Sequence, residues 1–290
     1  MVDEGSWGLQ EGNEVVPGLH ALRLLGRARR YEAYLAWHDE MLTTVVVKIL
    51  RPDRVEDRSA REGLAAEARA LRSLDHPVLM RSFGGAQDGP RPHLVLEFLE
   101  GPRLSTLIRK YGPLAIEQAV PLATQLCSAI HFMAGRGWVH LDVKPKNIIM
   151  GAPPRLIDLS VAHTVEEAAT LDVPVGTDSY MAPEQCEPGK RGVPGPPSDV
   201  WGVGVSLFEA VVGELPFGKA TDDDRFPQLH RERLPFPDEV PPPLAEIVES
   251  CLAPDPAARP TAREVAEALE PLVAALPKRP IIGRLKPRLR

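Results

Sequence analysis

The chain has 290 residues, 43% apolar and 26% charged, with 31 Pro and 23 Gly. These proportions exclude wholesale disorder and a collagen-like chain, and the length suits two lobes or one large α/β domain. The formal net charge is −6, yet residues 278–290 carry six Lys/Arg and no acid, so the remaining body is strongly acidic, which argues against a nucleic-acid binder.

Cys127, Cys186 and Cys251 are odd in number and follow no metal-binding spacing, so they read as buried or idle thiols in a reducing cytosol. The acidic N-terminus has no apolar run of signal-peptide type. The longest apolar stretch, Val200 to Gly213, is interrupted by Glu209 and is too short to span a bilayer. A cytoplasmic location is expected.

In chain order, residues 1–17 lack periodicity and read as a flexible leader. From Leu22 short runs rich in aliphatic and β-branched residues (LRLLG, EAYLAW, TTVVVKIL) predict strands. Ser59 to Leu74 follows a helical period, with Leu64, Ala68 and Leu71 on one side. Two more strands are expected around Met80–Ala86 and His93–Phe98, separated by the turn-rich QDGPRP. After Gly101 the pattern turns helical. Leu104–Lys110 and Ile116–Ala134 are predicted helices, the second with Pro121 in its opening turns. Short strands are expected in WVHLD, NIIM and RLIDL, then a loop-like stretch over 163–198. Val200–Val212 is apolar nearly all round, which predicts a deeply buried helix. Leu244–Leu252 and Ala262–Ala275 complete the helical part. No internal repeat is visible.

The sharpest chemical segment is His140-Leu-Asp-Val-Lys-Pro-Lys-Asn147. It resembles the catalytic loop of eukaryotic-like (Hanks-type) Ser/Thr protein kinases, with Asp142, Lys144 and Asn147 at the family spacing. Six further segments follow the family's order. Val45-Val-Val-Lys48 resembles the strand that carries the nucleotide lysine, and Glu67 ahead of His76-Pro77 resembles its helical partner. Asp158-Leu-Ser160 stands where the family has Asp-Phe-Gly. Gly176-Thr-Asp-Ser-Tyr-Met-Ala-Pro-Glu184 resembles the substrate-docking loop, Ser198-Asp199 the start of the buried helix, and Asp255-Pro-Ala-Ala-Arg259 the late arginine motif. The resemblance runs from about Leu19 to Leu276, and the arginine-rich composition suits a bacterial member.

The resemblance implies an α+β, bilobal fold: a small β-rich N-lobe with one helix over 18–98 and a larger, mostly helical C-lobe over 99–277, followed by a basic tail, 278–290. It implies transfer of the γ-phosphate of Mg-ATP (Mn²⁺ as an alternative) to a protein Ser/Thr hydroxyl. Such chemistry needs alignment and charge neutralisation more than covalent catalysis. Lys48 would hold phosphates and Glu67 would orient it. Asp142 would act on the substrate hydroxyl and Lys144 on the γ-phosphate. Asn147 and Asp158 would hold the metal. Leu25, Gly26, Ala33, Val46, Ile149, the gatekeeper-like Leu96 and the backbone of Glu97 and Leu99 would surround the adenine. Glu184 and Arg259 would form a buried ion pair, and Asp199 would bond the catalytic-loop backbone. Taken singly, Lys48 is equally a solvated strand end, Glu67 a solvated helix charge and Asp199 an N-cap; their order in one chain argues for function.

Four positions depart from the family pattern. Of the three glycines expected at 26, 28 and 31 only Gly26 remains, beside Ala28 and Tyr31, and Arg27, Arg29 and Arg30 are candidates to meet phosphate instead. Ser160 replaces a glycine, Val46 an alanine, and Leu141 the arginine that would read a phosphate on the activation segment. The competing readings are therefore an active kinase independent of phosphorylation at Thr164 or Thr170, a pseudokinase scaffold with weakened nucleotide binding, and a small-molecule phosphotransferase. The docking loop speaks against the third. The basic tail reads as a solvated terminus, with docking to a membrane or an acidic partner the lesser reading. The protein substrate, activating signal and oligomeric state are not legible in the sequence.

Overall fold

Alternating apolar residues in the first hundred positions build one antiparallel sheet. In the computed structural model, which describes residues 5–277, its strands are β1 (Glu14–Val16), β2 (Leu19–Arg27), β3 (Tyr31–His38), β4 (Thr43–Leu50), β5 (Ser82–Ala86) and β6 (His93–Glu97), in the order β1-β2-β3-β4-β6-β5. Between β4 and β5 runs α1 (Arg58–Ser73), started by Asp57, whose carboxylate accepts from Ala60 N–H at 3.2 Å. The register sets Ala33 opposite Lys48 and Val46 opposite Leu96. Because side chains alternate along a strand, this set shares one face of the sheet. The opposite face, with Tyr34, Val45, Val47, Ile49 and Val95, forms a second small core.

That second core corrects the expectation of a flexible leader. Within residues 5–17, Val15 and Val16 are buried in it, and Trp7 and Leu9 pack against it. Trp7 Nε1 donates to Leu50 O at 2.7 Å, and Arg91 lies 4.7 Å from the Trp7 ring. The physical reason is the apolar outer face of the sheet, which this segment covers. The absence of a period in a single-layer cover left it unreadable in the sequence. The predicted strand at Met80 begins at Ser82 instead.

The second lobe starts with α2 (Leu104–Tyr111) and α3 (Ile116–Gly135). Four two-residue strands follow: β7 (Trp138–Val139), β8 (Ile148–Ile149), β9 (Arg155–Leu156) and β10 (His163–Thr164), pairing as β7 with β10 and β8 with β9. The stretch expected as a loop holds β10 and two one-turn helices, α4 (Val165–Ala168) and α5 (Pro183–Cys186). Thr164 caps α4 and Glu167 reaches back to it, a reciprocal cap that the sequence carries as Thr-x-x-Glu. Helix α6 (Pro196–Val212) is the axis of the lobe and is buried along almost its whole length, with α7 (Pro242–Cys251) and α8 (Ala262–Ala275) completing it. The architecture is thus α+β and bilobal. All three cysteines are buried, and burial pushes the Cys186 and Cys251 thiols up to about 12. Among the described residues no helix is long and apolar enough to cross a membrane. The basic tail expected at 278–290 lies outside the described residues.

Candidate active site

Strand β4 delivers Lys48 to the cleft between the lobes, and α1 delivers Glu67 from behind it. The ammonium lies 2.8 Å from both Glu67 oxygens and 3.1 Å from Asp158 Oδ1. Glu67 is fully buried, and its burial would strand a lone charge, so the ion pair is what makes the position tolerable. Burial opposes charge on Lys48, but Glu67 and then Asp158 outweigh it and hold the ammonium above the ordinary lysine range. Burial likewise opposes ionisation of Asp158; the Lys48 charge and hydrogen bonds from Ser160 and Lys48 prevail and hold its carboxyl well below the usual carboxylate range.

Asp158 has φ +69°, uncommon for a residue with a Cβ. Ser160 does not share that conformation, so the glycine missing at 160 is not required here, and the serine hydroxyl supports the Asp158 carboxylate instead.

The loop between β7 and β8 carries Asp142, Lys144 and Asn147. Buried Asp199, in the first turn of α6, accepts from His140 N–H and Leu141 N–H, each at 2.7 Å. On the other side Gln185 Nε2 donates to Leu141 O and Val175 O, each at 2.8 Å. Leu141 sits at φ +60°, a strained conformation held from both sides by these bonds. The segment crosses so closely that a Cβ on Gly176 would stand 2.7 Å from Leu141 O, and Gly176 itself has φ +129°. Only glycine fits there.

Asp142 is the hub of this loop. Its Oδ2 accepts from Lys144 Nζ at 2.6 Å and from Asn147 Nδ2 at 3.0 Å, and its Oδ1 accepts the Thr177 hydroxyl at 2.6 Å. Lys144 also donates to Thr177 Oγ1. Asn147 thereby spends its amide N–H groups on Asp142, which leaves its carbonyl oxygen as a hard ligand in the cleft that Asp158 also lines. Among the described residues there is no cluster of three or more His, Cys, Asp or Glu that could hold a metal alone. The donor set fits magnesium, which takes one or two carboxylates and completes its shell with phosphate oxygens and water.

The cleft encloses about 1040 Å³ and is lined by Leu25, Gly26, Ala33, Val46, Leu96, Glu97, Leu99 and Ile149, together with Lys48, Glu67, Lys144, Asn147 and Asp158. The structure therefore brings every sequence-predicted residue but Asp142 onto the wall of one cavity, and Asp142 is bonded to Lys144 and Asn147 of that wall. The arginines of the hairpin have protein partners as well as a place on the cleft wall. Arg27 lies opposite Glu32 across the hairpin and its Nε is 3.1 Å from the buried Glu32 carboxylate, while Arg30 Nη2 donates to Ser59 Oγ at 3.2 Å. All three arginines line the cleft, and two of them also bond protein groups, a buried carboxylate and a residue at the start of α1.

Glu184 and Arg259 are joined by two bonds of 2.7 and 2.8 Å, both side chains fully buried, with Ser198 Oγ donating to Glu184 at 2.6 Å. Sequence reasoning missed Gln185 and Gln228. Gln228 Nε2 holds the docking-loop carbonyls of Asp178 at 2.7 Å and Met181 at 2.9 Å. A lone glutamine in a Pro-rich stretch gives no signal. It also missed what Leu141 does: with Val139 and Ala168 it forms a small apolar core, against which Val165, Leu171 and Val175 of the activation segment pack.

A sheet lobe over a helical lobe, with a Lys–Glu pair and an Asp-Lys-Asn loop facing each other across the cleft, defines the protein kinase class. The family model described as "Protein kinase domain" matches residues 19–269, and the chain belongs to that family. The chain is similar to the serine/threonine-protein kinase pkn2 of Myxococcus xanthus, 30% identical over 88% of this chain and 32% of that protein. It is likewise similar to the serine/threonine-protein kinase PkaA of Streptomyces coelicolor, 31% identical over 78% of this chain and 42% of that protein. PknB of Mycobacterium leprae is 30% identical over 67% of this chain and 32% of that protein. The chain thus spans about a third to two fifths of the length of these curated relatives.

Proposed function

We propose that this chain is a Ser/Thr protein kinase that transfers the γ-phosphate of ATP to a protein hydroxyl, and that its activation segment is set by packing rather than by phosphorylation. The observation that carries the reading is the convergence of Lys48, Glu67, Lys144, Asn147 and Asp158 on one cleft, with Asp142 bonded to Lys144 and Asn147 of its wall. Lys48, fixed by Glu67, binds phosphate oxygens with a cation that cannot swing away. Asn147 Oδ1 and the Asp158 carboxylate would hold magnesium, which when bound offsets the charge on the phosphates. Asp142 orients the acceptor and takes its proton. Thr177 now donates to Asp142 Oδ1 the same kind of group, an aliphatic hydroxyl, that a substrate serine or threonine would offer. Lys144 neutralises the transferred group.

Regulation follows from Leu141. An arginine there would be a receptor for a phosphate; a leucine buried against Ala168 gives the segment an apolar anchor instead. Both candidate hydroxyls are already engaged, Thr164 as the cap of α4 and Thr170 as donor to Glu167 O at 2.8 Å. The curated relatives' names support the Ser/Thr class, and residues 5–17 belong to the working unit along with the domain that follows them.

The test is phosphate incorporation from γ-labelled ATP with Mg²⁺ into a generic basic protein, beside Asp142→Asn. Incorporation that disappears in the variant is the expected result. Equal absence in both proteins would overturn the catalytic reading and favour a scaffold, as the loss of two hairpin glycines suggests; a thermal shift with ATP then tells whether the cleft still takes nucleotide.

A further inference from the structure

We infer that Tyr31 is a positioning residue: from the hairpin over the cleft it fixes α1, and with it the Lys48–Glu67 pair. The inference rests on the kinase reading above and adds a means by which the protein braces the pair. Tyr31 begins β3 and lies opposite Leu50 in register, one diagonal step from Lys48. Its ring is therefore a cross-strand neighbour of the lysine on the same face. The Lys48 ammonium stands 4.7 Å from the ring centroid, within the range of a cation–π contact, and the site is largely withdrawn from water.

The other end of the side chain reaches α1. The Tyr31 hydroxyl is 3.4 Å from Ala60 O, and the ring belongs to the main core with Val55, Ala60 and Leu64. Two further features of the contact agree. Arg30, next in the hairpin, donates to Ser59, and its backbone carbonyl accepts from Arg51 N–H at 3.0 Å. Gly63, one turn before Glu67, lies under the tyrosine: a Cβ there would stand 3.4 Å from the Tyr31 hydroxyl and 3.6 Å from Arg30 Nη1. A Cβ there would make ordinary contact with both, so only a larger, branched side chain would press the hairpin off α1.

Tyr31 thus contacts both partners of the ion pair's scaffold, the lysine directly and the helix of Glu67 through its first two turns. Where three glycines would let backbone amides settle on phosphate, this hairpin settles on α1 through side chains. The cost is freedom of the hairpin; the gain is a Lys48–Glu67 pair braced by the protein's own side chains.

The experiment compares the full chain with Tyr31→Leu, Tyr31→Phe and Gly63→Val. Two readouts are taken: kcat and KM for ATP, and hydrogen exchange of α1 amides without nucleotide. Tyr31→Leu keeps apolar volume but removes the ring face and hydroxyl; kcat is expected to fall about tenfold with a smaller change in KM. Exchange across residues 60–70 should rise, with exchange in α6 unchanged. Tyr31→Phe retains the ring and should recover most of the loss, and Gly63→Val, which wedges the seat, should resemble Tyr31→Leu. Wild-type kcat and α1 protection in Tyr31→Leu would overturn the inference, as would a loss that Tyr31→Phe fails to restore. A wild-type chain without phosphoryl transfer would instead overturn the kinase reading, and the exchange data would still decide the role of Tyr31.

Discussion

On the hairpin side of the cleft the geometry is held by side chains: Tyr31 and Arg30 on α1, Arg27 on Glu32, Trp7 N–H on Glu32 at 3.2 Å. On the catalytic-loop side it is held by the backbone. Asp199 and Gln185 grip the main chain around a strained Leu141, and Gly176 admits the activation segment at contact distance. Side-chain contacts tolerate substitution because many shapes fill a space. A backbone hydrogen bond across 2.7 Å in a dry interior tolerates little. The glycine hairpin has lost two of its three glycines, while the loop has exchanged an arginine for Leu141 yet keeps Asp142, Lys144 and Asn147.

Substitutions on the two sides should therefore behave differently. The largest expected effect is on the loop itself. Asp142→Asn removes the proton acceptor and should lower kcat by about a thousandfold or more, with the thermal midpoint nearly unmoved. Retained turnover would mean that Asp142 is not the base. Lys48→Met should lower kcat/KM by about a hundredfold and free Glu67 as a lone buried charge, so a loss of stability should accompany the loss of rate.

Arg259→Ala separates support from chemistry. It leaves the fully buried Glu184 unpaired and should cost about 3–5 kcal/mol in urea unfolding. A cost below 1 kcal/mol would show that Ser198 and water suffice. Leu141→Arg tests the apolar anchor. Guanidinium against Ala168 and Val165 should release the segment, seen as new protease cleavage within 164–175 and a fall in activity. If the variant instead gains activity on phosphorylation, the position is a dormant phosphate receptor.

The smallest effect is expected from Thr164→Ala combined with Thr170→Ala. Activity should stay within about twofold, with about 1 kcal/mol lost from the α4 cap. An inactive but folded double variant would refute independence from phosphorylation.

Much of this was legible in the residues. The 3.6 and 2.0 periods placed α1, α3, α6 and the main strands to within a few residues, because each buries one stripe or face and the period records it. The ordered motifs named the cleft, since phosphate and metal chemistry restricts residue type at Lys48, Asp142, Asn147 and Asp158. The N-terminal cover, Gln185, Gln228 and the roles of the hairpin arginines were not legible. Each depends on a partner 5 to 76 positions away that the chain's folding brings close, and no period encodes such a pairing.

The sequence by itself determined the class of fold, the charges available for chemistry and the order in which the chain presents them. Tertiary structure alone decided that Arg27 and Arg30 meet Glu32 and Ser59 at the edge of the cleft, that Tyr31 sits between Lys48 and α1, and that Leu141 packs against Val139 and Ala168. The reason is that a residue's type fixes what it can bond, whereas burial and the competing groups around it fix which bond it makes.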